Sequence, residues 1–502
     1  MANRCVVIGI DGATFDIIRP LISEGRLPHI SKLIAGGVHG VLQSTIPPSS
    51  IPAWPSFLTG MNPGKHGVYD FLKKVPGKYI GALSTSKDLK SPTVYDILGK
   101  GGKTSVVINV TGTYPPKVVR GCLISGLLTP QGVNYVYPEI LKEELDEMGY
   151  KVYTDIGGYV RSEKIYQELL DLEIKRKEIA LSLMNIFNWE FFMLTIVGSD
   201  TIQHKLWGDK DKIDDYYYEV DKIVGEVLDK VEDDPNIIIM SDHGFGSSEN
   251  TFYINKWLEE IGLLSTETTD YESTTSYKIR NLRKKESGIS ETFSKFGMTK
   301  RSLRFIKRMP GYNLIKKWMP SLVTKMYSTI PTDTVAIDWE NTKAAVASNW
   351  LRNIMINMRG REPLGIVEPW EYEILREEII SKLQKLKNPE TNEEIIEKVY
   401  KREELYSGPY VDDAPDIVLS LKGKYKVSNS LTAEKVFGVN SGNDIKGSHR
   451  MDGIFIASGP DIVKGKKIDG ANILDVMPTI LKLLSVEIPG DLDGRVLSEI
   501  IR

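Results

Sequence analysis

The sequence predicts an α/β protein with a mostly parallel central sheet. From residue 5 to about residue 261, short apolar runs rich in β-branched residues alternate with helical segments such as 165–188 and 214–231. That alternation is typical of parallel strands joined by crossover helices. It resumes near Val335. At 502 residues the chain exceeds the size at which a single core stops growing, so we expect a large α/β domain with an added subdomain.

Composition adds few limits to this prediction. Hydrophobic residues make up 41% and charged residues 26% of the chain, which is ordinary for a globular protein. The net charge of −3 gives no reason to expect a specific nucleic-acid partner. Cys5 and Cys122 are the only cysteines, and Cys5 falls in a predicted core strand, so we expect no disulfide framework. The sequence starts without the long apolar segment of a signal peptide or membrane span, and we expect a cytoplasmic enzyme, with peripheral membrane contact left open.

A basic segment interrupts the alternation. Residues 278–325 carry 14 Lys or Arg against 2 Glu, and apolar residues recur there at near-helical spacing. We therefore predict a first block of the catalytic core over 1–264, a basic helical insertion over 265–332 and a second block of the core over 333–502. The insertion is interpreted as a lid that selects substrate; contact with an anionic surface or a polyanion, and a merely solvated helical subdomain, are the alternatives.

Candidate metal ligands follow the predicted strands. Aspartates come directly after, or a few residues after, three apolar runs, and in an open α/β sheet ligands collect at the carboxyl ends of the strands. Histidines accompany them at short spacing, and a third histidine follows a Gly-Ser pair. The nitrogen and oxygen ligands suffice for two divalent cations, which favours a hydrolase; they are Asp11, Asp200, His204, Asp242, His243 and His449.

The candidate nucleophile is Ser50. Pro52 suits the first turn of a helix, so Ser50 is predicted at a helix N-terminus, where free backbone N–H groups and the helix dipole favour an anion. Coordination to a metal would lower the pKa of the serine hydroxyl, as it does for bound water. The alternative is a helix cap with no chemistry. Ser49 is the second choice of nucleophile.

In their order along the chain, these segments resemble the type I phosphodiesterase/nucleotide pyrophosphatase branch of the alkaline phosphatase superfamily. Any single segment occurs often by chance, but the ordered set is specific and spans nearly the whole chain apart from the basic insertion. The matching segments are residues 8–12, Ser50, 58–60, 62–67, 200–204, 241–244, 447–449, 475–481 and 493–494.

The resemblance implies an alkaline-phosphatase-like three-layer αβα sandwich and a two-metal phosphoric ester hydrolase. One metal site would comprise Asp11, Ser50, Asp242 and His243, and a second site would comprise the set Asp200, His204 and His449. Zn²⁺ is the usual ion of the family, and the ligand chemistry also permits Mn²⁺. Ser50 would attack phosphorus and form a phosphoserine, which water then hydrolyses. The expected substrate is a small phosphodiester or nucleotide pyrophosphate.

Two departures from the family pattern keep alternatives open. Nucleotide pyrophosphatases of this branch commonly have Thr as the nucleophile and Asn three positions later, whereas this chain has Ser50 and Ala53. Trp54 stands where sulfatases place Arg, which argues against sulfate esters. A phosphomonoesterase is therefore one alternative. A non-catalytic protein that retains the fold and binds a membrane or polyanion is another.

Three further residues are candidate substrate contacts. His66, in a Lys-His-Gly turn, either contacts phosphate or caps the turn. Arg359 and Arg361 flank a glycine, and a guanidinium group suits bidentate contact with phosphate. The alternative for both arginines is a solvated surface turn.

Overall fold

The computed structural model describes residues 4–154, 162–231, 234–269, 334–347, 353–440 and 446–502. Most of the basic insertion predicted over 265–332 lies outside the described residues, so both the insertion and the division of the core into two blocks stay predictions.

The described residues form strands and helices in the alternation that the sequence predicts. The strands are β1 (Cys5–Ile10), β2 (Val38–Gln43), β3 (Leu72–Val75), β4 (Lys78–Leu83), β5 (Ser105–Val110), β6 (Gly121–Ser125), β7 (Val136–Tyr137), β8 (Phe191–Ile196), β9 (Asn236–Met240), β10 (Gly244–Ser248), β11 (Asn250–Tyr253), β12 (Thr266–Thr269), β13 (Thr334–Ile337), β14 (Ala344–Ala345), β15 (Met355–Ile356), β16 (Ile396–Lys401), β17 (Ile417–Leu421), β18 (Tyr425–Ser428), β19 (Phe437–Val439), β20 (Lys446–Arg450), β21 (Asp452–Ser458) and β22 (Lys466–Asn472). The helices are α1 (Phe15–Ser23), α2 (Pro28–Gly36), α3 (Ser50–Thr59), α4 (Pro63–His66), α5 (Val94–Lys100), α6 (Leu141–Glu147), α7 (Ser162–Ile186), α8 (Gly198–Leu206), α9 (Lys210–Lys230), α10 (Ile254–Glu260), α11 (Pro369–Gln384), α12 (Arg402–Leu405) and α13 (Ile473–Leu483).

A nine-stranded sheet organises the molecule, in the order β22-β2-β21-β9-β1-β8-β5-β6-β7. Every neighbouring pair is parallel except those made by β21 and β7, which run against the rest. The central strands β1, β5 and β8 are buried along their whole length. Continuous apolar runs of this kind are typical of parallel sheets that are covered on both faces.

Helices cover both faces of this sheet and bury alternate residues of each strand. Val6 and Ile8 of β1 pack in one apolar cluster with residues of α1, α2 and α6 to α9. Cys5 and Val7 point to the opposite face and pack with residues of α3, α5 and α13. The result is the three-layer αβα sandwich with a mostly parallel sheet that the sequence predicts, and the fold prediction is confirmed.

A third apolar cluster lies apart from the two that flank the sheet. It joins residues of β11 and α10 to residues of β14 to β18 and α11, and its buried members include Trp257, Ile379 and Leu419. The strands of this region pair with each other in small sheets rather than with the nine-stranded sheet. The chain returns to the large sheet with β21 and β22, and α13 then covers it.

The topology brings three strand ends to one edge of the sheet. Strand β1 lies between β9 and β8, and Ile10 is in register with Ile196 while Gly9 is in register with Met240. Because all three strands are parallel, the residues that follow them emerge side by side. Among the helices of the described ranges, none has the length together with the apolar character that crossing a bilayer requires.

Candidate metal centre

Three aspartates stand at the shared edge of β9, β1 and β8. Asp11 directly follows β1, and Asp242 follows β9 after one intervening residue. Asp200 lies in the first turn of α8, which begins two residues after β8 ends. Residues four apart share one face of a helix, so α8 places His204 beside Asp200. Their donor atoms, Asp200 Oδ1 and His204 Nε2, lie 3.3 Å apart.

The first group of donors surrounds Ser50, the first residue of α3. Its hydroxyl oxygen lies 3.3 Å from Asp11 Oδ1 and 3.2 Å from His243 Nε2. His243 Nε2 in turn lies 3.6 Å from Asp11 Oδ1 and 3.4 Å from Asp242 Oδ2. All four residues are buried. Ser49 is the N-cap of α3, so Ser50 is the first residue of the helix, as predicted. The Ser49 side chain makes no capping hydrogen bond.

The second group of donors lies against the first. Asp200 Oδ1 is 3.2 Å from Nε2 of His449, and the Nε2 atoms of His204 and His449 are 2.8 Å apart. His449 reaches this position because β20 pairs with β10. The rings of His243 and His449 stack with centroids 3.8 Å apart, which joins the two groups. The structure therefore brings the seven predicted ligand residues together.

The three imidazoles are held in one tautomer. In each ring Nδ1 lies 3.0–3.2 Å from a backbone carbonyl oxygen. A carbonyl only accepts, so Nδ1 carries the proton and the lone pair of Nε2 faces the carboxylates. A carbonyl partner of this kind is the usual way in which a protein orients a metal-bound histidine. The pairs are His204 with Gly447, His243 with Gly244, and His449 with Pro48.

The donor set fits divalent cations. Within the described part of the chain, Asp242 Oδ2 and Asp200 Oδ1 are buried without a hydrogen-bond donor, because the nearby Nε2 atoms carry no proton. Two Nε2 lone pairs that face each other at 2.8 Å repel unless a positive charge lies between or beside them. Unpaired buried acceptors are costly. Mixed imidazole and carboxylate ligands are those of Zn²⁺ and Mn²⁺.

Electrostatics at the cluster also favour added positive charge. Burial raises the pKa of Asp11 well above its ordinary value, and the neighbouring Asp242 and Asp200 raise it further. Burial raises the pKa of Asp242 to about 6. Burial lowers the pKa of His243 well below its ordinary value and keeps the ring neutral.

Residues that the motifs did not indicate hold this cluster in place. The indole N–H of Trp54 donates to Asp11 Oδ2 at 3.2 Å. Ser199 Oγ donates to the Asp11 carbonyl at 2.7 Å, and Gln203 Nε2 donates to the Gly12 carbonyl at 3.0 Å. A sequence signal existed for Trp54, since it stands one helical turn after Ser50. Nothing local in the sequence marks the other two.

The structure does not bring His66 to the seven proposed ligand residues. It is fully buried, and its Nδ1 accepts a hydrogen bond from the Val68 backbone N–H at 3.2 Å. Nε2 therefore carries the proton and lies 2.9 Å from Ser56 Oγ. Burial lowers the pKa of His66 to about 3. The ring links α3 to the residues that follow α4, and we leave it out of the proposed site.

Arg359 and Arg361 also lie apart from the seven ligand residues. Arg361 donates through both terminal nitrogens to the buried carboxylate of Asp416, at 2.6 and 2.7 Å. Arg359 forms an exposed ion pair with Glu368 at 2.5 Å. Both guanidinium groups therefore have carboxylate partners in the third apolar region, and we leave them out of the proposed site.

The cluster of proposed ligand residues opens into a cleft of about 940 Å³. Ser50, Asp200 and His449 line it together with other residues of α8 and with residues of β17 and β18. The apolar residues Phe71 and Leu128 also line the cleft. A substrate can therefore reach the serine hydroxyl from solvent.

Comparisons with known proteins identify the family and the fold of the chain. The family model described as type I phosphodiesterase/nucleotide pyrophosphatase matches residues 5–452. Phosphonoacetate hydrolase from Sinorhizobium meliloti 1021, solved with phosphonoacetate, is similar in structure with a TM-score of 0.57 and 13% identity, over 97% of this chain and 96% of that chain. Inactive murine ectonucleotide pyrophosphatase/phosphodiesterase 5, solved with AMP, gives a TM-score of 0.53 and 12% identity over 100% of both chains.

The human form of the second enzyme gives a TM-score of 0.54 and 13% identity, over 99% of this chain and 100% of that chain. At such identities the solved structures establish the shared fold. No curated protein matches the chain. The family match over most of the chain confirms the resemblance that the ordered motifs indicated.

Proposed function

We propose that this chain, which belongs to the type I phosphodiesterase/nucleotide pyrophosphatase family, cleaves phosphodiester or nucleotide pyrophosphate bonds with Ser50 as nucleophile and two divalent cations as cofactors. Family membership makes the chain a phosphoric ester hydrolase. The observation that best supports the assignment of Ser50 and two cations is the convergence of three imidazole Nε2 atoms and three carboxylates beside the Ser50 hydroxyl.

The chain's own residues divide into two ligand sets. Asp242 and His243, with Asp11 and Ser50, would hold one cation, and Asp200 with the two histidines of α8 and β20 would hold the other. Three imidazole nitrogens in the donor set favour Zn²⁺, with Mn²⁺ as the alternative. When bound, such cations lower the pKa of the serine hydroxyl and neutralise charge on the phosphoryl oxygens.

Ser50 is positioned for attack on phosphorus. Its hydroxyl lies at the N-terminus of α3, where the positive end of the helix dipole favours an anionic phosphoryl group. Asp11 Oδ1, at 3.3 Å, orients the hydroxyl. In the first step Oγ bonds to phosphorus, the bond from phosphorus to the leaving alcohol breaks, and that alcohol takes the proton of the Ser50 hydroxyl; the phosphoserine that forms still carries the second organic group of the diester. In the second step water attacks phosphorus, the bond from phosphorus to Oγ breaks, and one proton of that water restores the Ser50 hydroxyl.

The substrate is proposed to be a small molecule. The two related enzymes were solved with phosphonoacetate and with AMP, which supports a small phosphorus compound here as well. Phosphomonoester hydrolysis is the second candidate, because Ala53 is buried on α3 and offers no side-chain donor to a phosphate oxygen. Comparing the hydrolysis rates of a monoester and a diester of the same aryl alcohol under the same conditions separates the two candidates.

The test of the nucleophile compares neighbouring serines. Ser50→Ala should abolish hydrolysis of an aryl phosphodiester. It should also remove the adduct that mass spectrometry of acid-quenched wild-type enzyme is expected to detect on the α3 peptide, a phosphoryl group that still carries the second organic group. Ser49→Ala removes a hydroxyl without a capping hydrogen bond and should retain both. Metal analysis of each purified variant shows whether the cations remain. Full turnover in Ser50→Ala, or its loss in Ser49→Ala alone, would contradict the assignment.

A further inference from the structure

A second cavity, of about 230 Å³, lies beside the metal cleft. The hairpin of β3 and β4 forms one side, and the segments around Met355 and Asp416 form the other. The two cavities share a wall. Phe71 lines the cleft and the next residue, Leu72, lines the cavity, whereas Asn353 lines both. A group attached to a phosphate in the cleft therefore has the second cavity as its neighbour.

Two residues that line this cavity, Asn353 and Glu362, each carry a buried polar atom without a partner among the described residues. The Oδ1 atom of Asn353 accepts from the Leu419 backbone N–H at 3.3 Å, which fixes the orientation of the amide. Within the described ranges its Nδ2 atom has no hydrogen-bond partner, and neither does Oε2 of Glu362. Both residues are only 6% exposed. Leaving such groups unpaired costs about 1–3 kcal/mol each, so the site favours a ligand that satisfies them.

The charges of the lining indicate a neutral ligand. Basic and acidic side chains line the cavity in equal number. Several of them neutralise each other directly: Lys74 Nζ lies 2.7 Å from Glu362 Oε1, and Arg361 Nη1 lies 2.6 Å from Asp416 Oδ1. A hydroxyl group can both accept from an amide N–H and donate to a carboxylate. The unpaired donor and acceptor therefore match a hydroxyl-bearing group better than an ion.

The size of the cavity limits the group further. Its volume of about 230 Å³ is below the roughly 300–1,000 Å³ of pockets that bind drug-sized ligands. We infer that this cavity receives a small, neutral, polyhydroxylated group, of the size of glycerol or a single sugar ring, that is esterified to the phosphate in the metal cleft. The inference rests on the proposed function and specifies one of the two organic groups of the diester.

The test uses two diesters that share a leaving group. p-Nitrophenyl glycerol phosphate and p-nitrophenyl methyl phosphate differ only in the group that would enter the cavity. For the metal-loaded wild-type enzyme, kcat/KM should be higher for the glycerol diester. In Asn353→Leu the ratio of the two kcat/KM values should fall by roughly 2- to 10-fold, which corresponds to one neutral hydrogen bond. Taking a ratio within one sample removes the effect of partial misfolding.

Asn341→Leu is the matched control, because Asn341 is an exposed residue that lines neither cavity and its substitution should leave the ratio unchanged. A wild-type ratio of one or less would show a merely hydrated cavity and overturn the inference, whatever the stability of the variants. An unaltered ratio in Asn353→Leu would overturn it too. If the wild type hydrolyses neither diester, the proposed function and the cavity assignment both fail. Equal hydrolysis of the two diesters refutes the cavity assignment alone.

Discussion

Trp54→Phe tests whether helix α3 holds a proposed metal ligand, Asp11, in place. Trp54 is fully buried, and its indole N–H donates to Asp11 Oδ2 at 3.2 Å, while the other oxygen of Asp11 faces Ser50. Phenylalanine fills much of the same space but has no donor. The substitution therefore removes the contact that orients the carboxylate.

The expected magnitude follows from the geometry. A hydrogen bond to an ionised group contributes about 1.5–3 kcal/mol. A distance of 3.2 Å is at the long end for N–H···O, so we take the lower value, about 1.5 kcal/mol, which corresponds to roughly tenfold in an equilibrium constant. Loss of an outer contact to a metal ligand typically weakens metal binding by about 10- to 100-fold. We therefore expect Trp54→Phe to weaken Zn²⁺ binding about tenfold.

The assay separates metal affinity from packing. Apoprotein is titrated with Zn²⁺ in competition with a chromophoric chelator, and its thermal unfolding is measured without metal. Phe57→Leu is the matched control, because Phe57 is fully buried on the same helix and packs against Trp54 with ring centroids 5.9 Å apart, yet has no bond to Asp11. Both variants should lose stability, by about 1–3 kcal/mol. Equal Zn²⁺ affinity in Trp54→Phe and the wild type would refute the reasoning.

Two further predictions concern the metal and helix α8. Removal of metal by a chelator should stop hydrolysis of an aryl phosphodiester and lower the melting temperature. Adding Zn²⁺ back at 100 times its Kd should restore about 2.7 kcal/mol of unfolding free energy. Activity that survives verified removal of metal would contradict the proposal. In Gly198→Ala the added Cβ would lie 2.0 Å from the Tyr216 hydroxyl oxygen, so we expect a loss of about 1–3 kcal/mol in denaturant unfolding and weaker Zn²⁺ binding by α8. Gly208→Ala, with nothing within 4 Å, should change neither, and equal behaviour of the two variants would count against a role for α8 position.

The sequence predicts the positions of the carboxylates well because their placement is a local property. Each aspartate follows an apolar run that becomes a strand, and parallel strands place their carboxyl ends at one edge. The register of β1 with β8 and β9 then brings Asp11, Asp200 and Asp242 together without any further information. The start of α3 at Ser50 is also local, since Pro52 suits the first turn of a helix.

The surroundings of Arg361 and Asn353 could not be predicted in the same way, because their partners are distant in sequence. The sequence alone favours Arg361 as a phosphate ligand, because it does not show the contact with Asp416, 55 residues later. Once the chain folds, the bidentate pair neutralises the guanidinium group inside the third apolar region. Asn353 shows the converse: no motif marks it, and only the meeting of two cavities and an unpaired amide nitrogen indicate a role.

Two histidines followed by glycine show where a local motif stops being informative. In the sequence, His66-Gly67 and His243-Gly244 look alike. In the structure His66 Nδ1 accepts from a backbone N–H, so its proton is on Nε2, whereas His243 Nδ1 donates to a carbonyl and leaves Nε2 free. Only the second tautomer presents a lone pair at Nε2, the atom that faces the carboxylates. His204 and His449 share it through carbonyls 243 and 401 residues away, so at these two residues the tautomer depends on the fold and not on the neighbouring sequence.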